Sequence, residues 1–318
     1  MAEIEIGDAL TSGFQLIGRK PLSVMCWGLV RVAFVAAILA VYAPMMLAVF
    51  GQFAGLARPG AVIAPPDLAT FLPMLLAMQG AGFLLQIGGL FIGAVLYCAA
   101  SRAVLKPEAR SFAYMRVGTP ELFVVILAYA ALIVFFMAIF ACLIPLAFTV
   151  AALAVGHQAG SAVLVTVLIA VAMIAAIIYI ALRFSFVVPM MVDDGAFRLI
   201  EAWRMTRGHV LPLFLIGLSL VAILSIAQAI IGALFIGVGV VGLATVAGGF
   251  SNLPAFFQQG PVAVLGQLTP LLVVYGLAMI PISGCVTAIV AAPWARAYRD
   301  LVAVVPPPPA ATTPATAA

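Results

Sequence analysis

The stretch "VGHQAGSA" (Val155–Ala162) interrupts a run, Leu122 to Leu182, that holds no Asp, Glu, Lys or Arg. A helix crosses the hydrocarbon core of a bilayer with about 20 apolar residues. The run is too long for one crossing and long enough for two. Gly, His and Gln inside the interruption suit a tight turn outside the apolar layer. The chain is read as passing out and back here, and the same test on both sides gives the rest of the fold.

Upstream, the charge-free runs Val32–Ala57 and Leu68–Ser101 each hold one crossing. Downstream, Gly208–Ala295 holds two, parted by the Gly/Pro/Asn/Gln-rich "GGFSNLPAFFQQGP" (Gly248–Pro261). Expected spans are residues 27–50, 73–101, 122–153, 161–182, 211–240 and 271–295. The predicted fold class is all-α: a polytopic helical membrane protein with six transmembrane helices in one domain over residues 1–303. Residues 304–318 are Pro- and Ala-rich and uncharged, which predicts a disordered tail. Composition agrees. The chain is 66% hydrophobic and 8% charged, whereas soluble domains are about half apolar and a quarter charged. The net charge of +4 gives no sign of nucleic-acid binding.

Charge position sets orientation. Of the 14 Lys and Arg residues, all but Arg31 and Arg58 fall before the first span, in loops of one parity or after the last span. The positive-inside rule makes that side cytoplasmic, with both termini on it. Trp27, Tyr97, Tyr179 and Trp294 fall at the same helix ends, where aromatic rings favour the headgroup level. Glu3, Glu5 and Asp8 replace the basic start of a signal peptide, so the first apolar run is expected to be retained. A composition rich in Ala and Gly, with Arg preferred to Lys, makes the expected location a bacterial inner membrane, multi-pass.

Three segments repeat weakly before outgoing spans: "GFQLIGRKPL" (Gly13–Leu22), "AYMRVGTPEL" (Ala113–Leu122) and "AWRMTRGHVL" (Ala202–Leu211). Each has an early aromatic, Phe14, Tyr114 or Trp203, and a Leu eight positions on. This predicts a three-fold repeat of interfacial helix plus two-span hairpin. In the first unit Ile6, Leu10, Gly13, Phe14 and Ile17 share one helical face, and Asp8, Thr11, Ser12, Gln15 and Arg19 the other. In the third, Leu199, Ala202, Trp203 and Thr206 form the apolar stripe. Asp193–Asp194 are expected to start that helix, by capping and dipole, and Gly208 to stop it.

The segment "FVVPMMVDDGAFRLIEAWRMTRGHVLPLF" (Phe186–Phe214) resembles one shared by bacterial integral-membrane proteins of unknown function. These include the membrane domain attached to some glycerophosphodiester phosphodiesterases. The resemblance rests on Pro189, the turn Asp193–Gly195, and Ala202, Trp203, Thr206, Arg207 and Gly208. It implies a helical membrane domain. Phosphodiesterase activity does not follow, since the family's catalytic part is a separate soluble barrel that no loop here is long enough to hold.

Ionisable residues inside spans are the usual mark of function in a membrane protein. Arg31 is the main one here, and it lies one turn from Trp27, where it can snorkel or stack on the indole. Gln79 and Gln86 share a face of the second span with Gly82, Gly89 and Gly93, a pattern that suits helix packing through small residues. With Gln228 of the fifth span they are the polar intramembrane candidates for a groove. Pro281 with Ser283 and Thr287 reads as a kink satisfied locally. His157 is expected on an outer turn. Cys26, Cys98, Cys142 and Cys285 are scattered without a CxxC, so no disulfide, metal or cofactor is expected. No nucleophile–base pair, metal motif or phosphate loop is present, so no catalytic residue is assigned.

The expected function is a non-enzymatic inner-membrane protein with a structural, assembly or lipid-associated envelope role. Its expected partners are anionic lipids of the cytoplasmic leaflet, with a protein partner or second copy also allowed. Arg204, Arg207 and His209 are the lipid-headgroup candidates. The alternative is a transporter or channel for a small or lipidic solute, lined by Gln79, Gln86 and Gln228.

Overall fold

The computed structural model describes residues 5–56, 68–109, 112–154, 160–252, 255–256, 259 and 261–304. The turn at His157, the loop at Arg58 and the tail from 305 lie outside them. The described chain is all helical. In order it forms α1 (Ile6–Arg19), α2 (Pro21–Leu56), α3 (Leu68–Leu105) and α4 (Thr119–Ala154), then α5 (Gly160–Phe184), α6 (Val187–Asp194) and α7 (Leu199–Met205), and last α8 (Val210–Val246) and α9 (Pro261–Val304). Single 3-10 turns sit at Phe112–Tyr114 and Phe250–Asn252. Six helices, α2 to α5, α8 and α9, are long and apolar enough to cross a membrane.

Most of these six helices are apolar all round. In water such helices would need burial on every side. Here Leu164, Ile174, Phe148 and Ile236 are among many large apolar side chains left more than half exposed. That surface is suited to lipid tails. The closely packed part lies at one end of the bundle. One cluster there joins Ala9, Cys98, Phe186, Met190, Met191, Leu213, Ile216 and Tyr298. A second joins Leu16, Val24, Trp27, Leu96, Tyr114 and Ala292. This end also carries α1, α6, α7 and most of the described charges, and is called the basic end below.

α9 is the hub, packing against α1, α2, α3, α6 and α8. Its contact with α2 is backbone on backbone. A Cβ added at Gly28 would collide with the Ile280 carbonyl, and one at Gly284 with the Val24 carbonyl. Small residues let membrane helices approach this closely. Of the three glycines of α3 expected to do this, Gly82 lies close against the Tyr42 hydroxyl and Gly89 in ordinary contact with Phe34, while Gly93, the second glycine of the Gly89–Gly93 GxxxG, faces open space.

Other expectations at the basic end change in the folded chain. α1 buries Ala9, Ser12, Gly13 and Leu16, with Gly13 against the backbone at Ile289, while Phe14 is 51% exposed. Its protein-facing side is therefore rotated towards the small residues, and Ser12 satisfies its hydroxyl on the Ala9 carbonyl. Trp27 is fully buried, in a cluster with Leu96 of α3, Tyr114 and Ala292 of α9. In the second repeat unit the expected helix is the single 3-10 turn at Phe112–Tyr114. Asp193 and Asp194 end α6 instead of starting α7, and Gly195 (φ 73°) caps it.

Candidate functional site

The last turns of α3 are rich in Ala and bury Arg102 to 9% exposure. A buried guanidinium needs a counter-charge and acceptors. Glu121, third residue of α4 and fully buried, supplies Oε1 to Arg102 Nη2. Arg102 Nη1 donates to the Tyr114 carbonyl at 3.3 Å. That carbonyl is reachable because the chain turns sharply there: Ala113 and Tyr114 take φ of 49° and 60°. Non-glycine residues at positive φ are strained and persist only where surroundings hold them. Trp27 does so from α2, its indole N–H donating to the Ala113 carbonyl at 2.8 Å. Tyr114 adds a bond from its hydroxyl to the Pro107 carbonyl at 2.9 Å, and Lys20 lies over its ring at 5.6 Å.

Two acids at the C-terminus of α6 oppose the helix dipole. Cations offset this. Lys106 Nζ donates to the Val192 and Asp193 carbonyls at 3.2 and 2.6 Å, satisfying the helix end. It lies 3.8 Å from the Asp193 carboxylate, which also accepts from the Tyr298 hydroxyl at 3.4 Å. Asp194 pairs with Arg198 at 3.7 Å. A hydrogen bond from Arg198 to Glu201, and the charges of Glu201 and Asp194, hold its guanidinium above the usual arginine range.

Between these groups lies a cavity of about 850 Å³. Arg102, Lys106, Arg116, Glu121, Asp193 and Asp194 line it, with the Val117–Pro120 backbone and Met191 to Val192. Three basic and three acidic side chains thus share one space. Two atoms or groups there stay unpaired. Glu121 Oε2 is buried without a hydrogen-bond partner. Arg116 is exposed and, among the described residues, makes no hydrogen bond or ion pair. A second, apolar crevice of about 580 Å³ runs between α5, α8 and α9 beside Phe214, Leu218 and Trp294.

The sequence-predicted candidates lie elsewhere. Arg204 and Arg207 are exposed and His209 half-buried, with His209 Nδ1 3.2 Å from the Arg207 carbonyl. None of the three lines the charged cavity. Gln79 and Gln86 on α3 and Gln228 on α8 are exposed, and α3 and α8 are not among the extensively packed helix pairs. The structure does not bring these Gln residues together. Arg31 is exposed and unpaired among the described residues. Thr287, beyond Pro281, bonds the Ser283 carbonyl at 2.9 Å.

Sequence reasoning missed Arg102, Glu121 and Arg116 as a site, and Arg183 as a junction. Arg183 lies 5.0 Å from the ring centres of both Tyr179 and Trp203, and donates to the Trp203 carbonyl and Thr206 Oγ1 at 3.4 Å. A signal for the pair was present: "GTPEL" puts a carboxylate at the head of a long apolar run, and Arg102 closes the run before it. No protein-family model matches the chain, and the comparisons with curated proteins and with solved structures likewise give no match.

Proposed function

We propose that the chain is a non-enzymatic, lipid-associated protein of a bacterial inner membrane, with its basic end in the cytoplasmic leaflet. The observation that carries this reading is the charged cavity at the basic end, where bilayer-length α3 ends and α4 begins, with Arg116, unpaired among the described residues, on its wall. Headgroups lie at that level of a bilayer, and each Lys or Arg near an anionic surface contributes about 1 kcal/mol. The exposed Arg204 and Arg207, with His209 beside them, extend the same basic surface. The residues around the cavity offer no nucleophile held by a base, so binding without turnover fits them best. The basic-loop asymmetry supports the orientation, and the likeness of Phe186–Phe214 to bacterial membrane proteins supports the source. A transporter has less support, because Gln79, Gln86 and Gln228 do not converge.

The test is lipid co-purification. Full-length protein extracted in mild detergent should retain phospholipid, counted by native mass spectrometry. Replacing both Arg204 and Arg207 by Gln should lower the retained anionic lipid, by about thirtyfold if each contributes as above. A protein that comes away bare of phospholipid would overturn the reading.

A further inference from the structure

We propose that the charged cavity binds a zwitterionic phosphoamine, the headgroup chemistry of phosphoethanolamine: its primary ammonium on Glu121 Oε2 and its phosphate on Arg116. The proposal rests on the lipid-associated reading and names the ligand of that site.

The buried carboxylate oxygen sets the first half. Oxygens of this kind are expected to accept hydrogen bonds, and an orphan is costly. Two of the three cationic side chains on the cavity are already engaged. Arg102 serves Glu121 Oε1 and the Tyr114 carbonyl, and Lys106 serves the end of α6. Gly118 sets no side chain against this buried oxygen, where a Cβ would sit 3.5 Å from Oε2. Gly118 and Glu121 both line the cavity. A donor with several N–H groups, entering from the cavity, would complete the site. Asp193 and Asp194 across the cavity add negative charge for a cation.

The unpaired guanidinium sets the second half. Arg116 presents a planar fork that matches a phosphate in bidentate fashion. Because cavity charges of both signs are equal in number, a ligand carrying both signs leaves neither half uncompensated. A bare anion would meet the acids, and a bare cation the arginines. A primary ammonium donates to Glu121, whereas a trimethylated one has no N–H to give. The site therefore discriminates between ethanolamine and choline headgroups of the same charge.

The experiment uses full-length protein in nanodiscs of phosphatidylcholine doped with either phosphatidylethanolamine or phosphatidylglycerol. Tightly held lipid is identified by native mass spectrometry. Phosphatidylethanolamine should be enriched about tenfold over its bulk share, as expected for one charge-assisted hydrogen bond that choline lacks. Equal retention of the choline lipid, or preference for the glycerol lipid, overturns the proposal. Arg116→Gln, at an exposed position, should lose that enrichment without lowering the melting temperature, and enrichment that survives it overturns the phosphate half. The Arg204→Gln, Arg207→Gln double variant should keep the enrichment while holding less anionic lipid, which separates this site from the wider basic surface. Soluble O-phosphoethanolamine is the second arm. Displacement of the lipid by it assigns the site to the shared headgroup chemistry, and failure to displace assigns it to the lipid. If no lipid is retained, calorimetric binding of O-phosphoethanolamine to the detergent-solubilised protein decides alone, and absence of heat overturns the proposal.

Discussion

Arg102 and Glu121 illustrate how burial in this chain comes from protein and not from depth in a membrane. Arg31 lies farther into its helix than Arg102 does, yet Arg31 is exposed and Arg102 is 9% exposed. Hydropathy ranks them the other way, because it counts neighbours along the chain. The cover over Arg102 comes from the Tyr114 and Glu121 segment, which approaches it only after the turn at Ala113. The pair is thus a linkage between α3 and α4. Removing either partner leaves an uncompensated buried charge, so Arg102→Ala or Glu121→Ala should each cost about 3–5 kcal/mol of stability. Replacing both by apolar residues of similar size should cost much less. Unfolding midpoints of the two single variants and the double variant in detergent check this, and additive losses would contradict the linkage.

Among elements, the α2–α9 crossing has the tightest geometric requirement. Gly28→Ala should destabilise by about 1–3 kcal/mol or more, the cost of overpacking a contact already at backbone distance. Gly93→Ala, in open space, should be neutral or gain up to about 1 kcal/mol from helix propensity. Thermal melting of the two variants side by side separates the crossing that is used from the GxxxG spacing that is not. Spacing alone does not distinguish them, because the partner of Gly28 lies far along the chain. The same limit affected Asp193–Asp194. These residue types favour helix starts, but Gly195 in the left-handed region stops α6 first, and Lys106 from α3, with Arg198 four residues on, offsets the unfavourable dipole. The apolar stripe of α7 was legible, since Ala202 and Thr206 are both fully buried. Periodicity is local information; a counter-ion from another segment is not.

For the whole molecule, the count of spanning helices followed from charge-free runs and the loops between them, and the described residues hold six helices long and apolar enough to span. The cavity did not, because its walls come from residues 102–121 and 191–195, which only the tertiary fold unites. Orientation is tested at this scale. In a background with Cys26, Cys98, Cys142 and Cys285 replaced, Phe250→Cys should react with a membrane-impermeant thiol reagent on intact cells. Arg116→Cys should react only after lysis. Phe250 is 63% exposed in the loop between α8 and α9, and Arg116 is exposed at the basic end. The reverse labelling pattern would invert the topology.

The Gly28–Gly284 crossing also bears on biogenesis. α2 leaves the ribosome long before α9, so its closest partner does not yet exist when it enters the bilayer. Through most of synthesis, the face of α2 around Gly28 has to be covered by lipid, by the insertion machinery or by a chaperone. The bundle can close only as α9 arrives, and it closes upon a helix that has waited for it. Assembly of this protein is therefore governed by an encounter between early and late segments within the membrane, and a slow or interrupted translation leaves that seam open.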